Sequence, residues 1–120
     1  YVSRSLLMAK RFVDKEHLSW VRQQPCLIKQ TGFYSCKGGV VQAHHLLKPY
    51  IGERGMSLRA GDQNVIPLCL HHHAELHTKY GSEKAFFAHF GLPENYGKEM
   101  AQRMYEGRGF YKELDDDLPF

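Results

Sequence analysis

The fold is decided by the stretch NVIPLCLHHHAELH, which spans residues 64–77. Its first four residues, Asn-Val-Ile-Pro, include two β-branched residues, and they predict a short strand. We expect this strand to end at Pro67, because proline donates no hydrogen bond to a ladder. The second half contains four histidines and several good helix formers, so it predicts a helix over about residues 71–80 that ends at Gly81.

The histidine spacing in that helix suits a metal ion. His73 and His77 are four residues apart, so a helix puts both imidazoles on one face. A second pair, His44 and His45, follows the run Val-Val-Gln-Ala at residues 40–43, which predicts another short strand. Imidazole is the commonest metal ligand, and a third ligand could come from this pair. The alternative is an exposed polar helix that is merely rich in histidine.

Three cysteines point to a second site. Cys69 and His72 have the Cys-x-x-His spacing of a zinc knuckle, and Cys26 and Cys36 could complete a closed structural site. An odd number of thiols beside histidines fits zinc in a reducing compartment better than a disulfide framework. Three free buried cysteines are the alternative, and His71 competes with His72 for the ligand position.

The whole chain, residues 1–120, is expected to form a single domain of the α+β class with its core at residues 26–80. Tyr96, Met100 and Met104 recur at four-residue steps, which predicts an apolar helix face that packs into the core. Residues 46–63 have no clear period and are expected to form a long loop. The predicted flanking helices span about residues 14–22, 82–90 and 93–106, and a tail is expected at residues 107–120.

The charge is distributed unevenly. The first sixty residues contain ten Lys or Arg and only three Asp or Glu, which suits a nucleic-acid partner. Moderate basicity that serves only solubility is the alternative. Lys48, Arg54 and Arg59 are candidate DNA phosphate contacts. No apolar run is long enough to span a membrane and no signal-peptide pattern is visible, so a cytoplasmic protein without a membrane partner is expected.

Taken in order, three blocks of the sequence resemble the HNH endonucleases, also called the ββα-metal or His-Me finger class. The blocks are QAHH at residues 42–45, NVIPLC at residues 64–69 and HHAELH at residues 72–77. The residues in these blocks are most similar to those of phage-borne HNH proteins that resemble the recombination-enhancement nucleases. The resemblance covers about residues 26–80. It implies a small ββα-metal finger with a structural zinc site, flanked by N- and C-terminal helices.

The resemblance also implies a role for each matching residue. The general base would be His45, and Asn64 would brace the loop that orients it, although Asp62 is close enough to question which residue does the bracing. The ligands of the catalytic ion would be His44, His73 and His77. The structural Zn²⁺ would be held by Cys26, Cys36, Cys69 and His72, with nine residues between the first two cysteines where the zinc-stapled branch of the family usually has two.

The activity that the resemblance implies is metal-dependent hydrolysis of DNA phosphodiester bonds. The context would be phage-related recombination or DNA processing in the cytoplasm of a bacterial or phage-infected cell, with a recombinase filament as a candidate partner. Three imidazoles suit Zn²⁺, Ni²⁺, Co²⁺ or Mn²⁺ better than Mg²⁺, which prefers oxygen ligands. Two alternatives are a non-catalytic zinc-stabilised module that binds DNA or protein and, with less support, a metallohydrolase of small phosphoesters.

Overall fold

In the computed structural model, the described residues are 11–36, 39–52 and 59–117, with side chains described as far as Arg108. The predicted DNA contact at Arg54 therefore lies outside the described residues. The described elements are, in chain order, helix α1 (Lys15–Arg22), strands β1 (Val41–His45) and β2 (Val65–Cys69), helix α2 (Leu70–Glu75, continued by a π-helical turn Leu76–Tyr80), helix α3 (Glu83–His89) and helix α4 (Tyr96–Asp117).

The two strands form an antiparallel sheet, and α2 begins where β2 ends, which confirms the predicted α+β class. In the register, His44 lies opposite Ile66 and Val41 lies opposite Cys69. The prediction that Pro67 ends the second strand is wrong. Pro67 lies within β2, where its carbonyl accepts from the backbone N–H of Leu27 on the side away from β1, so its missing N–H removes no bond between the strands.

Helix boundaries follow local signals. The Asp14 side chain caps α1 by accepting from the backbone N–H of His17, and Ser82 caps α3 by accepting from Ala85. Gly81 ends the helical segment that begins with α2, at a φ of 73° that favours glycine. These three signals confirm the predicted helix starts near residues 14 and 82 and the predicted stop near residue 81.

The last helix differs from its prediction at both ends. α4 begins at Tyr96, because Pro93 lies in the preceding turn, where its carbonyl accepts from the backbone N–H of Tyr96. The expected tail after residue 106 is wrong, since the helix continues through Gly107 to Asp117. An internal glycine costs a helix only about 1 kcal/mol. Arg108, the next residue, pairs with Asp14 at the start of α1, at 3.5 Å.

The core lies between the sheet and the helices that follow it. Phe86 and Phe87 of α3 are fully buried, and each such side chain contributes roughly 1.5–3 kcal/mol of burial free energy. Gly97 allows α4 to approach closely, because a Cβ there would lie 2.8 Å from the Phe87 ring. The predicted apolar face of α4 is confirmed, since Tyr96, Met100 and Met104 pack against this core. Other buried members of the core are Leu27, Ile28, Leu46, Ile66, Leu68 and Leu76.

No helix in the described ranges is both long enough and apolar enough to cross a membrane.

Candidate functional site

The first cluster of possible metal ligands comprises Cys26, Cys36, Cys69 and His72, and we call it the thiol cluster. One ligand atom from each residue lies within 4.8 Å of the other three. The Nδ1 atom of His72 lies 3.5, 3.6 and 3.3 Å from the sulfurs of Cys26, Cys36 and Cys69. A tetrahedral zinc ion with ordinary bond lengths requires sulfur-to-nitrogen separations of roughly 3.5 Å. The cluster therefore has the donor set and the spacing to hold a metal such as zinc.

Local structure brings these four residues together. Cys69 caps α2, with its sulfur accepting from the backbone N–H of His72, so the Cys-x-x-His spacing fixes that pair within one helical turn. The bond from Leu27 to β2 holds Cys26 beside the strand. Residues 29–31 then form a 3₁₀ turn that ends at Gly32 with a φ of 81°. The nine residues between Cys26 and Cys36 thus include a compact turn.

Burial and the neighbouring groups disfavour charge on the members of the thiol cluster. Burial, and then the neighbouring thiols of Cys26 and Cys69, raise the pKa of Cys36 to about 12. Burial likewise lowers the pKa of His72, and His71 lowers it further. Both shifts disfavour charge on the isolated groups, whereas a metal ion would stabilise the thiolates. His71 itself points away and pairs with Glu75 at 3.3 Å, so the structure brings His72 and not His71 to the thiols.

The second cluster comprises His44, His73 and His77, and we call it the histidine cluster. Their possible ligand atoms also lie within 4.8 Å of one another. His44 is almost fully buried at the end of β1, His73 is half-buried on α2, and His77 is exposed on the π-helical turn. The separation between His44 Nδ1 and His73 Nε2 is 3.1 Å, close to the roughly 3.3 Å expected for two imidazoles on one tetrahedral ion.

Hydrogen bonds on the outer edges of two of these rings favour a cation between them. His44 Nε2 lies 2.8 Å from the Glu83 carboxylate, and His73 Nδ1 lies 2.6 Å from Oε1 of Gln42. Both oxygens are acceptors, so each facing ring nitrogen must carry the proton. In neutral rings the lone pairs of His44 Nδ1 and His73 Nε2 then face each other. Two lone pairs at 3.1 Å repel unless a cation lies between them, so the donor set fits a metal ion.

The pKa values of the histidine cluster also favour a metal ion. Burial, and then the neighbouring rings of His44 and His77, lower the pKa of His73 to about 4. Burial and His44 also lower the pKa of His77. Rings that stay neutral at pH 7 keep a lone pair for a metal ion.

His45 follows His44 on β1 but has a different partner. Its Nε2–H donates to Oδ1 of Asp62 at 2.8 Å, which leaves Nδ1 as the lone-pair nitrogen. Burial lowers the pKa of His45 below 6.5, and Arg59 and Arg11 lower it further, against the opposing effect of Asp62. The ring is therefore neutral at pH 7 and able to accept a proton at Nδ1.

Asp62 is held rigidly behind His45. It is 1% exposed, Arg11 donates to its Oδ1, and the backbone N–H of Asp14 donates to its Oδ2 at 2.8 Å. Burial alone would raise the pKa of Asp62, but the hydrogen bonds from His45 and Asp14 and the charge of Arg11 lower it below its ordinary value. Asp62 therefore stays ionised and fixes the ring tautomer of His45.

Asn64 has the bracing geometry that the sequence suggested, without touching His45. Its side-chain oxygen accepts from the backbone N–H groups of Tyr50 and Ile51 at 2.8 and 3.2 Å. Its amide nitrogen donates to the carbonyls of Ile51 and Gly61. Asn64 thus ties together the two ends of the loop after β1, while the direct contact to His45 comes from Asp62.

His45 and the histidine cluster line the same cleft. A cleft of about 270 Å³ is lined by His44, His45, His73 and His77, with Arg59 at its wall. Lys48 lines a neighbouring cleft of about 200 Å³ that shares Leu46 and Leu47 with the first. Of the predicted phosphate contacts, the structure therefore brings Arg59 to the histidines and Lys48 to the adjoining surface.

The chain belongs to the DUF968 family, a family of proteins of unknown function, whose model matches residues 8–105. It is similar to an uncharacterized protein of Escherichia coli strain K12, YdfU, with 37% identity over 81 residues. The match covers 62% of this chain and 21% of that relative, so the chain spans about a fifth of the relative's length. No solved structure gives a significant match.

Proposed function

We propose that the protein is a metal-dependent DNA endonuclease of the HNH, or ββα-metal, type. The observation that carries the proposal is that His45, neutral and backed by Asp62, opens on the same cleft as the histidine cluster. A module that only binds DNA or protein would have a use for the thiol cluster. It would have no use for a second cluster with a carboxylate-backed histidine beside it.

In this proposal His45 is the general base. Its Nε2 proton is held by Asp62, and its Nδ1 takes a proton from the attacking water. Asp62 then stabilises the imidazolium that forms, as the carboxylate does in other histidine–carboxylate pairs. Because burial holds the pKa of His45 below 6.5, the base form is present at pH 7.

The histidine cluster would hold a divalent ion, and the thiol cluster a structural Zn²⁺. When bound, the catalytic ion supplies Lewis-acid stabilisation to a phosphate oxygen and to the leaving oxygen. Three protein ligands leave coordination positions open for these oxygens. Imidazole ligands favour Mn²⁺, Co²⁺, Ni²⁺ or Zn²⁺ over Mg²⁺.

The substrate is assigned from charge. Arg59 adds a permanent positive charge to the wall of the cleft, and Lys48 extends it to the adjoining surface. A phosphodiester backbone complements both. The three cysteines form no disulfide, which is consistent with a reducing cytoplasm. The proposed context of phage-related recombination or DNA processing, with a recombinase filament as a partner, rests on the family resemblance alone.

The test is plasmid nicking by purified protein with Mn²⁺, Co²⁺, Ni²⁺ or Mg²⁺, with and without EDTA. We expect metal-dependent nicking that falls about 10²–10⁴-fold in His45→Ala, because general-base catalysis contributes that much. The matched control is His89→Ala, which removes an exposed histidine of α3 that belongs to neither cluster. Nicking that survives in a metal-loaded His45→Ala variant would refute the base assignment. Absence of nicking with every metal would favour the binding module.

A further inference from the structure

Glu83 contacts His44 and the backbone that follows β1, although a helix cap or a surface carboxylate would require no such contacts. It is the first residue of α3, yet its side chain points back to the end of β1 and is 10% exposed. Its Oε2 accepts from His44 Nε2–H at 2.8 Å and from the backbone N–H of Leu47 at 2.6 Å. Its Oε1 accepts from the backbone N–H of Lys48 at 3.2 Å.

Helix α3 does not depend on Glu83 for its start, because Ser82 provides the cap. A carboxylate in a first helical turn is already favourable when it remains in water. Burying it costs free energy unless hydrogen bonds compensate, and here three donors do so. The side chain therefore sits in an arrangement built around His44 and the segment after it.

The consequence for His44 is a fixed tautomer. An ionised carboxylate only accepts hydrogen bonds, so His44 must carry its proton on Nε2 and direct the Nδ1 lone pair towards His73. Glu83 faces the opposite edge of the ring from Nδ1, so it does not belong to the group of ligand atoms itself. A carboxylate in that position raises the basicity of a histidine ligand and fixes its orientation.

We propose that Glu83 is the positioning residue of the histidine cluster, holding His44 as a metal ligand and tying the Leu47–Lys48 backbone to it. This inference rests on the metal site of the proposed function. It adds a link between the two clefts, because Glu83 and Lys48 line one cleft while His44 lines the other. The ligand end of β1 and the backbone that carries a DNA-contact candidate are thus held by one carboxylate.

The experiment uses protein whose thiol cluster is loaded with zinc, into which Co²⁺ is titrated against a competing chelator. We expect Glu83→Gln to weaken Co²⁺ binding about 10–100-fold while zinc retention is unchanged. The matched control is Glu75→Gln, which removes a carboxylate on α2 that pairs with His71 and Lys79 and belongs to neither cluster. The control should bind Co²⁺ like the wild type.

A second measurement reads the tautomer of His44 directly. Imidazole ¹⁵N NMR of the wild type should report His44 as the Nε2–H tautomer, and Glu83→Gln should shift it towards a mixture. An Nδ1–H tautomer in the wild type, or unchanged Co²⁺ affinity in Glu83→Gln, would overturn the positioning role of Glu83. Neither result would by itself overturn the proposed function. If the wild type binds no exchangeable Co²⁺, the metal site of the proposed function fails and this inference fails with it.

Discussion

Replacing Asp62 by asparagine tests the proposed catalytic histidine with almost no change in shape. All the groups that contact this carboxylate are donors: His45 and Arg11 at Oδ1, and the backbone N–H of Asp14 at Oδ2. Asparagine has a single oxygen, so its NH₂ group must face a donor on one side whichever way the amide lies.

Each orientation has a calculable cost. With the oxygen towards His45, the N–H of Asp14 loses its acceptor, which costs about 1–3 kcal/mol, and Arg11 loses a charged partner. With the NH₂ towards His45, the ring must take the Nδ1–H tautomer and can no longer accept a proton there. Stability should therefore fall by about 2–4 kcal/mol, within the 5–15 kcal/mol typical of a domain, and turnover should fall about 10²–10⁴-fold.

The assay is nicking rate against pH at saturating metal, with metal content and urea unfolding measured in parallel. Asp62 raises the pKa of His45 against burial, so its loss lowers that pKa further below 6.5. The acidic limb of the profile should then move to lower pH while the plateau falls. A plateau and acidic limb identical to the wild type would show that Asp62 sets neither the tautomer nor the pKa of His45. A fall in rate with no movement of the limb would indicate general damage to the fold.

Three further predictions follow. His17→Phe should raise the free energy of unfolding by about 1 kcal/mol in urea titrations, because both ring nitrogens of this buried histidine lack hydrogen-bond partners. The gain should grow below pH 6.5, since burial and Arg108 lower the pKa of His17 and protonation then favours unfolding; a wild type equally stable at pH 5 and pH 7 would contradict this. Cys36→Ser should release zinc and lower the free energy of unfolding by on the order of 3 kcal/mol, whereas equal zinc content would exclude Cys36 as a ligand. Arg59→Ala should weaken DNA binding and reduce the slope of log affinity against log salt by about 1 in a fluorescence-anisotropy titration, and an unchanged slope would remove Arg59 from the DNA interface.

Local spacing predicted the parts of the site that depend on one element. The four-residue step from His73 to His77 needs only a helix, and the step from Cys69 to His72 needs only a helix start. The position of His44 beside His73 and His77 depends instead on the pairing of β1 with β2. The sequence predicted that His44 lies beside His73 and His77 only through its resemblance to a family, and not through spacing.

Contacts across the fold could not be read from the sequence. Asp62 and Asn64 are two residues apart in a turn, and the contacts of Arg11 and Asp14, which precede α1, hold Asp62 as the partner of His45. Glu83 was missed because its contacts depend on how α3 lies against β1. The contact between Arg108 of α4 and Asp14 could not be predicted either, because the two residues are 94 positions apart in the sequence.

The two clusters are not equivalent, because they share α2. Consecutive residues of this helix serve them, with His72 facing the thiols and His73 facing His44. Cys69 both joins the thiol cluster and caps the helix that carries His73. Opening the thiol cluster would therefore be expected to loosen the start of α2 and to displace His73. The cap by Cys69 and the contacts of the thiol cluster involve none of the three histidines of the histidine cluster, so loss of an ion there would leave both in place. Under the proposed function, this arrangement would let an ion in the histidine cluster exchange while an ion in the thiol cluster stays bound.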